Sequence, residues 1–168
     1  FRAWIIINEF LNTSKFSEIT QYLLVAAGMR NIRLNVYTNA EVMIGAPLPE
    51  GKPDFVLFWD KDILLAQYLE SLGIPVFNSS KSIALCDDKR LTYMALLNSG
   101  IPMPKTVIAP FTYDNIGYNN LDFLETVEAE LSYPMVVKEA FGSFGMQVYL
   151  VQNHDEMIAK LQEISPKP

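Results

Sequence analysis

One cysteine and one histidine stand in 168 residues, and that scarcity removes whole classes of chemistry. Cys86 has no internal disulfide partner, which suits a reducing compartment, and a cytoplasmic location is expected. Cys86 and His154 together fall short of the four ligands of a tetrahedral zinc site. No apolar run approaches the ~20 residues of a membrane span, so no membrane partner is expected. Arg2–Ile7 is too short for a signal peptide and leads into Asn8 and Glu9 rather than a small-residue cleavage site. Positive charge is scarce as well: 13 Lys and Arg against 19 Asp and Glu leave a net −6. Wrapping a nucleic-acid backbone needs a clustered basic surface, so no nucleic-acid partner is expected either. The acidic excess is dispersed and speaks for solubility. The first residue is Phe1 rather than methionine, which suggests a trimmed N-terminus.

Several nucleotide and hydrolase signatures are also missing. There is no GxxxxGK[ST], and the stretch NEFLNTSK (residues 8–15) after the first apolar run holds no glycine. A P-loop or a dinucleotide fingerprint in the first part of the chain is thereby excluded. Neither GxSxG nor a zincin motif occurs.

What is present is a core: half the residues are apolar and 19% are charged, enough for one ordinary domain or two small ones. Ala3–Ile7 is a short, β-branched apolar run of the kind buried on both faces of a parallel sheet. A polar loop over Asn12–Lys15 leads to an amphipathic helix over Ser17–Met29, with Ile19, Leu23, Ala26 and Ala27 at helical spacing. Leu34–Tyr37, Asp54–Phe58 and Ile74–Phe77 are the next predicted strands. Ala46–Pro53 is a loop, and a helix over Ile63–Leu72 stops at Gly73. Alternating strands and helices of these lengths predict a small open sheet of parallel strands joined by right-handed crossovers.

The second part has a different pattern. A short helix over Ser80–Leu85 runs into Asp87 and Asp88, good N-caps for a helix reaching Ser99. Gly100 ends it, and Pro102 and Pro104 cannot continue it. A short strand over Lys105–Ala109, a polar loop over residues 112–120 and a helix over Leu121–Leu131 follow. Met135–Val137 and Gln147–Val151 flank the loop Phe141–Met146 as an antiparallel hairpin. A last helix begins near Asn153, with Glu156 completing a capping box, and ends before Pro166.

Two lysines could carry chemistry. Lys138 lies on the face of Val136 and Ala140 just before Gly142-Ser143-Phe144-Gly145. In that loop glycines let the backbone approach an anion and turn its N–H groups toward it. The competing reading is a plain hairpin turn with Lys138 as an anti-aggregation charge. Lys89 sits in the first turn of its helix, where the macrodipole disfavours a cation by roughly 0.3–1 kcal/mol. It either joins the helix end in holding an anion or is solvated, with Asp87 and Asp88 compensating.

Together these segments resemble the ATP-grasp family. PVFNSSKSIALCDDKRLTYMALLNSGIPMPKT (residues 75–106) is similar to that family's passage from a preceding domain into the ATP-grasp fold. YPMVVKEAFGSFGMQVYLV (residues 133–151) is similar to its second signature of strand, lysine, glycine loop and strand. The nearest branch resembles RimK-like glutamate ligases, with D-alanine–D-alanine ligases as more distant relatives. The resemblance implies an α/β fold: a small Rossmann-like pre-ATP-grasp domain over residues 1–86, then the first α+β subdomain of an ATP-grasp fold over residues 87–168, truncated. It implies that Lys89 and Lys138 contact ATP, and that Gly142, Ser143 and Gly145 form a flap over its phosphates. The implied activity is a carboxylate–amine ligase working through an acylphosphate on an amino acid or peptide, with ATP and Mg2+. The metal ligands and catalytic residues are expected beyond residue 168, which would leave this stretch inactive alone. Glu139 departs from the family, where many relatives have proline.

Other residues have plainer readings. His154 is expected to be solvated. Asp60 or Asp62 caps a helix, or with Trp59 borders a ligand at the sheet's carboxyl edge, as Asn12, Thr13 and Ser14 also could. Cys86 is expected to be a small buried residue. A non-catalytic nucleotide-binding protein with the same fold is the alternative function. A phosphorelay receiver would use Asp60, but it wants an acidic pair after the first strand and leaves residues 87–168 unexplained. A homo-oligomer is compatible with the sequence, which does not name the acid or the amine.

Overall fold

The computed structural model describes residues 1–11, 13–113 and 115–165. The chain divides into two compact units, Phe1–Cys86 and Asp87–Pro168. The first holds strands β1 (Arg2–Ile7), β2 (Arg33–Thr38), β3 (Phe55–Trp59) and β4 (Val76–Phe77), with helices α1 (Ser14–Gly28) and α2 (Ile63–Ser71), and most of α3 (Ser80–Asp87). All strand pairs are parallel, in the order β2-β1-β3-β4. Ile5 of the central β1 faces Val36 on one side and Leu57 on the other. Ala3, Trp4, Ile5 and Ile6 are fully buried, which is why this strand is a continuous apolar run rather than an alternating one. One face packs Trp4, Ile6, Val56 and Phe58 against Leu65, Ala66 and Leu69 of α2.

The second unit has its own sheet, the antiparallel hairpin of β5 (Met135–Lys138) and β6 (Val148–Val151). Around it are α4 (Lys89–Leu96), α5 (Phe123–Glu130) and α6 (His154–Ile164). Met135 and Val151, directly opposite each other, form a core with Leu124, Met157 and Leu161. The hairpin's other face carries exposed Val136 and Leu150, the period-2 consequence of a sheet covered on one side.

Several sequence expectations are corrected. Helix α1 starts at Ser14 instead of Ser17, because Thr13 caps it by accepting a hydrogen bond from the Phe16 amide at 3.4 Å; Asn12 lies outside the described residues. Asp62, not Asp60, caps α2, accepting from the Leu65 amide at 2.9 Å. Helix α4 ends at Leu96 rather than Ser99. Helix α5 spans Phe123–Glu130, shorter at both ends than expected. Lys105–Ala109 is not a strand. Pro102 and Pro104 before it and Pro110 after it lack ladder donors, and no described strand pairs with it. Cys86 is exposed, because the buried stripe of α3 is Ser80 and Ile83 and ends a turn earlier. Within the loop 112–120, Asp114 is outside the described residues, as is Pro166 after α6.

The capping expected at α6 is present in a modified form. Asn153 Oδ1 accepts from the Glu156 amide at 3.0 Å, while the Glu156 carboxylate reaches back to the amide of Gln152 at 2.8 Å. His154 is half-exposed yet paired: its Nδ1 lies 2.7 Å from Glu128 Oε1. Glu128 also accepts from the Tyr133 hydroxyl. The hydrogen bond to Glu128 raises the His154 pKa, and the bonds from Tyr133 and then His154 lower that of Glu128. A raised histidine contributes stability that is full below its unfolded value of about 6.5 and is lost as pH rises through the folded value. A lowered carboxylate contributes above about 4.3 and is lost as pH falls through its folded value. The pair therefore favours folding most between those two limits. Urea unfolding of the His154→Gln variant is expected to show a smaller stability difference between pH 6 and pH 8 than the wild type. An identical pH dependence in the two would remove the pair from the account.

Candidate functional site: the glycine loop and the start of helix α4

The loop joining β5 to β6 is shaped by backbone that ordinary residues avoid. Gly142 has φ +120° and Gly145 φ +76°, and between them Phe144 takes φ +60°, uncommon for an aromatic residue. The ladder extends one step past the strands: the Glu139 amide donates to the Gln147 carbonyl at 3.1 Å. Farther out, the Met146 amide reaches the Ser143 carbonyl at 3.4 Å and turns the tip. A Cβ on Gly142 would run into the Gln147 side chain, whose Oε1 is buried without a partner. Gly142→Ala is thus expected to cost about 1–3 kcal/mol locally. Amide hydrogen exchange should locate that loss in residues 141–147, leaving α5 and α6 protected. A variant with unchanged loop exchange would show that the position tolerates a side chain.

Glu139 now has a structural explanation. Its N–H closes the ladder, and its carboxylate accepts from the Tyr149 hydroxyl at 2.7 Å. A proline there would lose the ladder bond. The hydrogen bond to Glu139, with burial second, raises the Tyr149 pKa, keeping the phenol protonated as a donor.

Helix α4 meets this loop at its first turn. Its N-cap Asp88 is 5% exposed and accepts from the Arg90 amide at 2.8 Å. The carboxylate also takes three side-chain hydrogen bonds from Arg90: Nε to Oδ1 at 3.0 Å, Nε to Oδ2 at 3.2 Å and Nη2 to Oδ2 at 2.6 Å. These bonds hold the Asp88 carboxyl below its ordinary range despite its burial. Charged hydrogen bonds outweigh desolvation here. The Lys89 amide, one of the helix's orphan donors, is satisfied by the Ala140 carbonyl at 2.9 Å. The Lys89 ammonium donates to the Gly142 carbonyl at 3.1 Å. Above them the Arg90 guanidinium carbon lies 5.7 Å from the centre of the Phe141 ring.

The sequence-predicted residues are thus partly gathered. Lys89 and Gly142 touch, and Ser143 and Gly145 follow in the same loop. Lys138 ends β5 opposite Val148, four residues before Gly142, on the exposed face with Val136. In the first unit Asp60 and Asn8 meet at the carboxyl edge of the sheet, the Asn8 amide lying 3.2 Å from each Asp60 oxygen. Beside them a cleft of about 270 Å3 is lined by Asn8, Glu9, Ser17, Gln21 and Thr38, a place where parallel sheets hold ligands. The grip of Arg90 on Phe141 and the packing of Gln147 on Gly142 were missed from sequence. The only signal was the neighbouring positive charge in DDKR. Among the described residues no three His, Cys, Asp or Glu side chains are grouped to hold a metal ion. These residues therefore offer Mg2+ no ligand set.

Residues 86–165 match the RimK-like ATP-grasp domain family. An uncharacterised protein of Mycoplasma pneumoniae is 32% identical over 154 residues, covering 88% of this chain and 53% of that protein. The glutamate–LysW ligase ArgX of Sulfolobus acidocaldarius is 35% identical over 85 residues, 51% of this chain and 27% of its own length. Among solved structures, a RimK-domain ATP-grasp protein of Sphaerobacter thermophilus superposes with a TM-score of 0.71 at 22% identity. That match covers 98% of this chain and 61% of that one. The chain spans about half the length of the first curated relatives it matches. Residues 86–165 thus belong to the RimK-like ATP-grasp domain family, and over nearly its whole length the chain has the fold of the RimK-domain ATP-grasp structure.

Proposed function

We propose that Lys89, Lys138, Gly142, Ser143 and Gly145 hold the phosphates of ATP in a protein that joins a carboxylate to an amine. Residues 1–86 serve as its pre-ATP-grasp domain and residues 87–168 as the first subdomain of the ATP-grasp fold. The observation that carries the reading is the pair of hydrogen bonds that Lys89 donates to the loop, from its amide to the Ala140 carbonyl and from its ammonium to the Gly142 carbonyl. A cation placed against the helix dipole at a loop of positive-φ glycines is poorly explained by stability alone, and well explained by an anion to be bound there. The family match and the ligase activity named for ArgX favour ATP as that anion's source.

In this reaction ATP passes its γ-phosphoryl group to a carboxylate oxygen. The amine then attacks the acyl carbon, phosphate leaves, and an amide forms with loss of the amine's proton. The loop amides and lysine ammonium groups neutralise charge on the phosphate oxygens and orient them for in-line transfer. Mg2+ would supply further charge neutralisation from ligands other than those described here. The acid is an amino acid or peptide carboxylate by analogy with ArgX. The test is phosphate release by the whole protein with ATP, screened against amino acids and peptides as acid and amine. ATP binding with no turnover against any pair would favour a nucleotide-binding protein that has kept the fold. Absence of ATP binding would end both readings.

A further inference from the structure

The structure assigns Arg90 as a positioning residue for the glycine loop, acting through the ring of Phe141. This rests on the reading of that loop as a nucleotide flap and goes beyond it. Two consecutive residues at the start of α4 hold three consecutive residues at the loop's entry. The Lys89 amide takes Ala140 at 2.9 Å, the Arg90 guanidinium covers Phe141 at 5.7 Å, and the Lys89 ammonium takes Gly142 at 3.1 Å. Of these contacts, only that of the Lys89 ammonium involves a group expected to hold phosphate, and the Arg90 contact is the one made by a side chain with no such role.

The arrangement has a consequence for ligand binding. If the Lys89 ammonium turns from the Gly142 carbonyl to a phosphate oxygen, the loop gives up that one of these contacts. Arg90 does not have to move, because the buried Asp88 carboxylate fixes its guanidinium through three hydrogen bonds. A guanidinium held edge-on by a carboxylate keeps its flat face for an aromatic ring. Phe141 is 56% exposed, so the ring has little other packing to keep it in place. The Asp88–Arg90 pair thus keeps the loop's root seated on α4 when the Lys89 ammonium turns to a ligand. A root seated before the ligand arrives leaves less of the loop to be ordered on binding, and the entropy lost is correspondingly smaller.

The test uses the whole protein and compares the wild type with Arg90→Ala, Arg90→Lys, Phe141→Ala, Phe141→Leu and the Arg90→Ala/Phe141→Ala double variant. Hydrogen exchange without ligand is measured over residues 139–147, and affinity is measured for ATP and for a non-hydrolysable ATP analogue. Arg90→Ala and Phe141→Ala are each expected to speed exchange at the loop root and weaken nucleotide binding by about two- to thirtyfold. The double variant should be no weaker than either single one, since both remove the same contact. Arg90→Lys should recover only part of the effect, because an ammonium cannot grip Asp88 and cover the ring together. Phe141→Leu leaves α4 untouched, so a loss there cannot be attributed to melting of the helix. Additive losses, full recovery by lysine, or unchanged root exchange in Arg90→Ala would each overturn the assignment. Absence of ATP binding by the wild type would instead end the nucleotide reading, and the ligand-free exchange would still decide the role of Arg90.

Discussion

Replacing Lys138 by alanine in the whole protein is expected to weaken ATP binding by about 2–5 kcal/mol, roughly thirtyfold to several thousandfold. The size follows from where the charge is used. In the isolated hairpin Lys138 is exposed on the face it shares with Val136, and a lysine–phosphate contact in water is strongly screened. Within a closed nucleotide cleft the same contact is desolvated, and removing one partner leaves phosphate charge uncompensated. Titration calorimetry with ATP on the wild type and the variant measures the difference. Equal affinities would return Lys138 to the role of an edge charge that discourages strand pairing. For the same reason the 168-residue chain by itself is expected to bind ATP more weakly than the whole protein and to turn nothing over. Efficient hydrolysis by the isolated chain would show that the residues needed for phosphoryl transfer all lie within it.

The second large effect lies in the first unit's core. Phe58, 1% exposed in β3, packs in the cluster that includes Trp4, Val56, Leu65 and Leu69. Phe58→Ala removes a ring from a site bounded by the sheet and α2, where collapse is restricted, and is expected to cost about 3–5 kcal/mol. Both tryptophans, Trp4 and Trp59, belong to this sheet, so their fluorescence in a urea titration reports its unfolding. A loss below about 1 kcal/mol would mean that the surrounding side chains refill the space, as well-adapted cores can. Leu64, on the exposed side of the same helix α2, is the internal control: it is 66% exposed, and its alanine variant should stay within about 0.5 kcal/mol of the wild type.

Local sequence determined a good deal of this protein. The apolar run Ala3–Ile7 has the pattern typical of a strand covered on both faces, and its strand is an inner one of the parallel sheet. Asp88 and Asn153 announced their helices because an N-cap is a contact between residues two or three apart. The glycine loop was legible for the same reason: positive φ at Gly142 and Gly145 is a local demand that residue type reveals. The family resemblance rested on such short, ordered signals. Where the expectation failed, the missing information was not local. Lys105–Ala109 has a strand's composition, but a strand exists only with a hydrogen-bonded neighbour, and the described sheets provide none. The burial of Cys86 was misjudged because the buried stripe of α3 is set by how far the core beneath it extends. The contacts of Lys89 with Ala140 and Gly142, and of Arg90 with Phe141, join residues about fifty positions apart. No periodicity or cap encodes such a distance. Only the packed fold decides which loop the first turn of α4 will meet, and therefore which charges stand ready beside it.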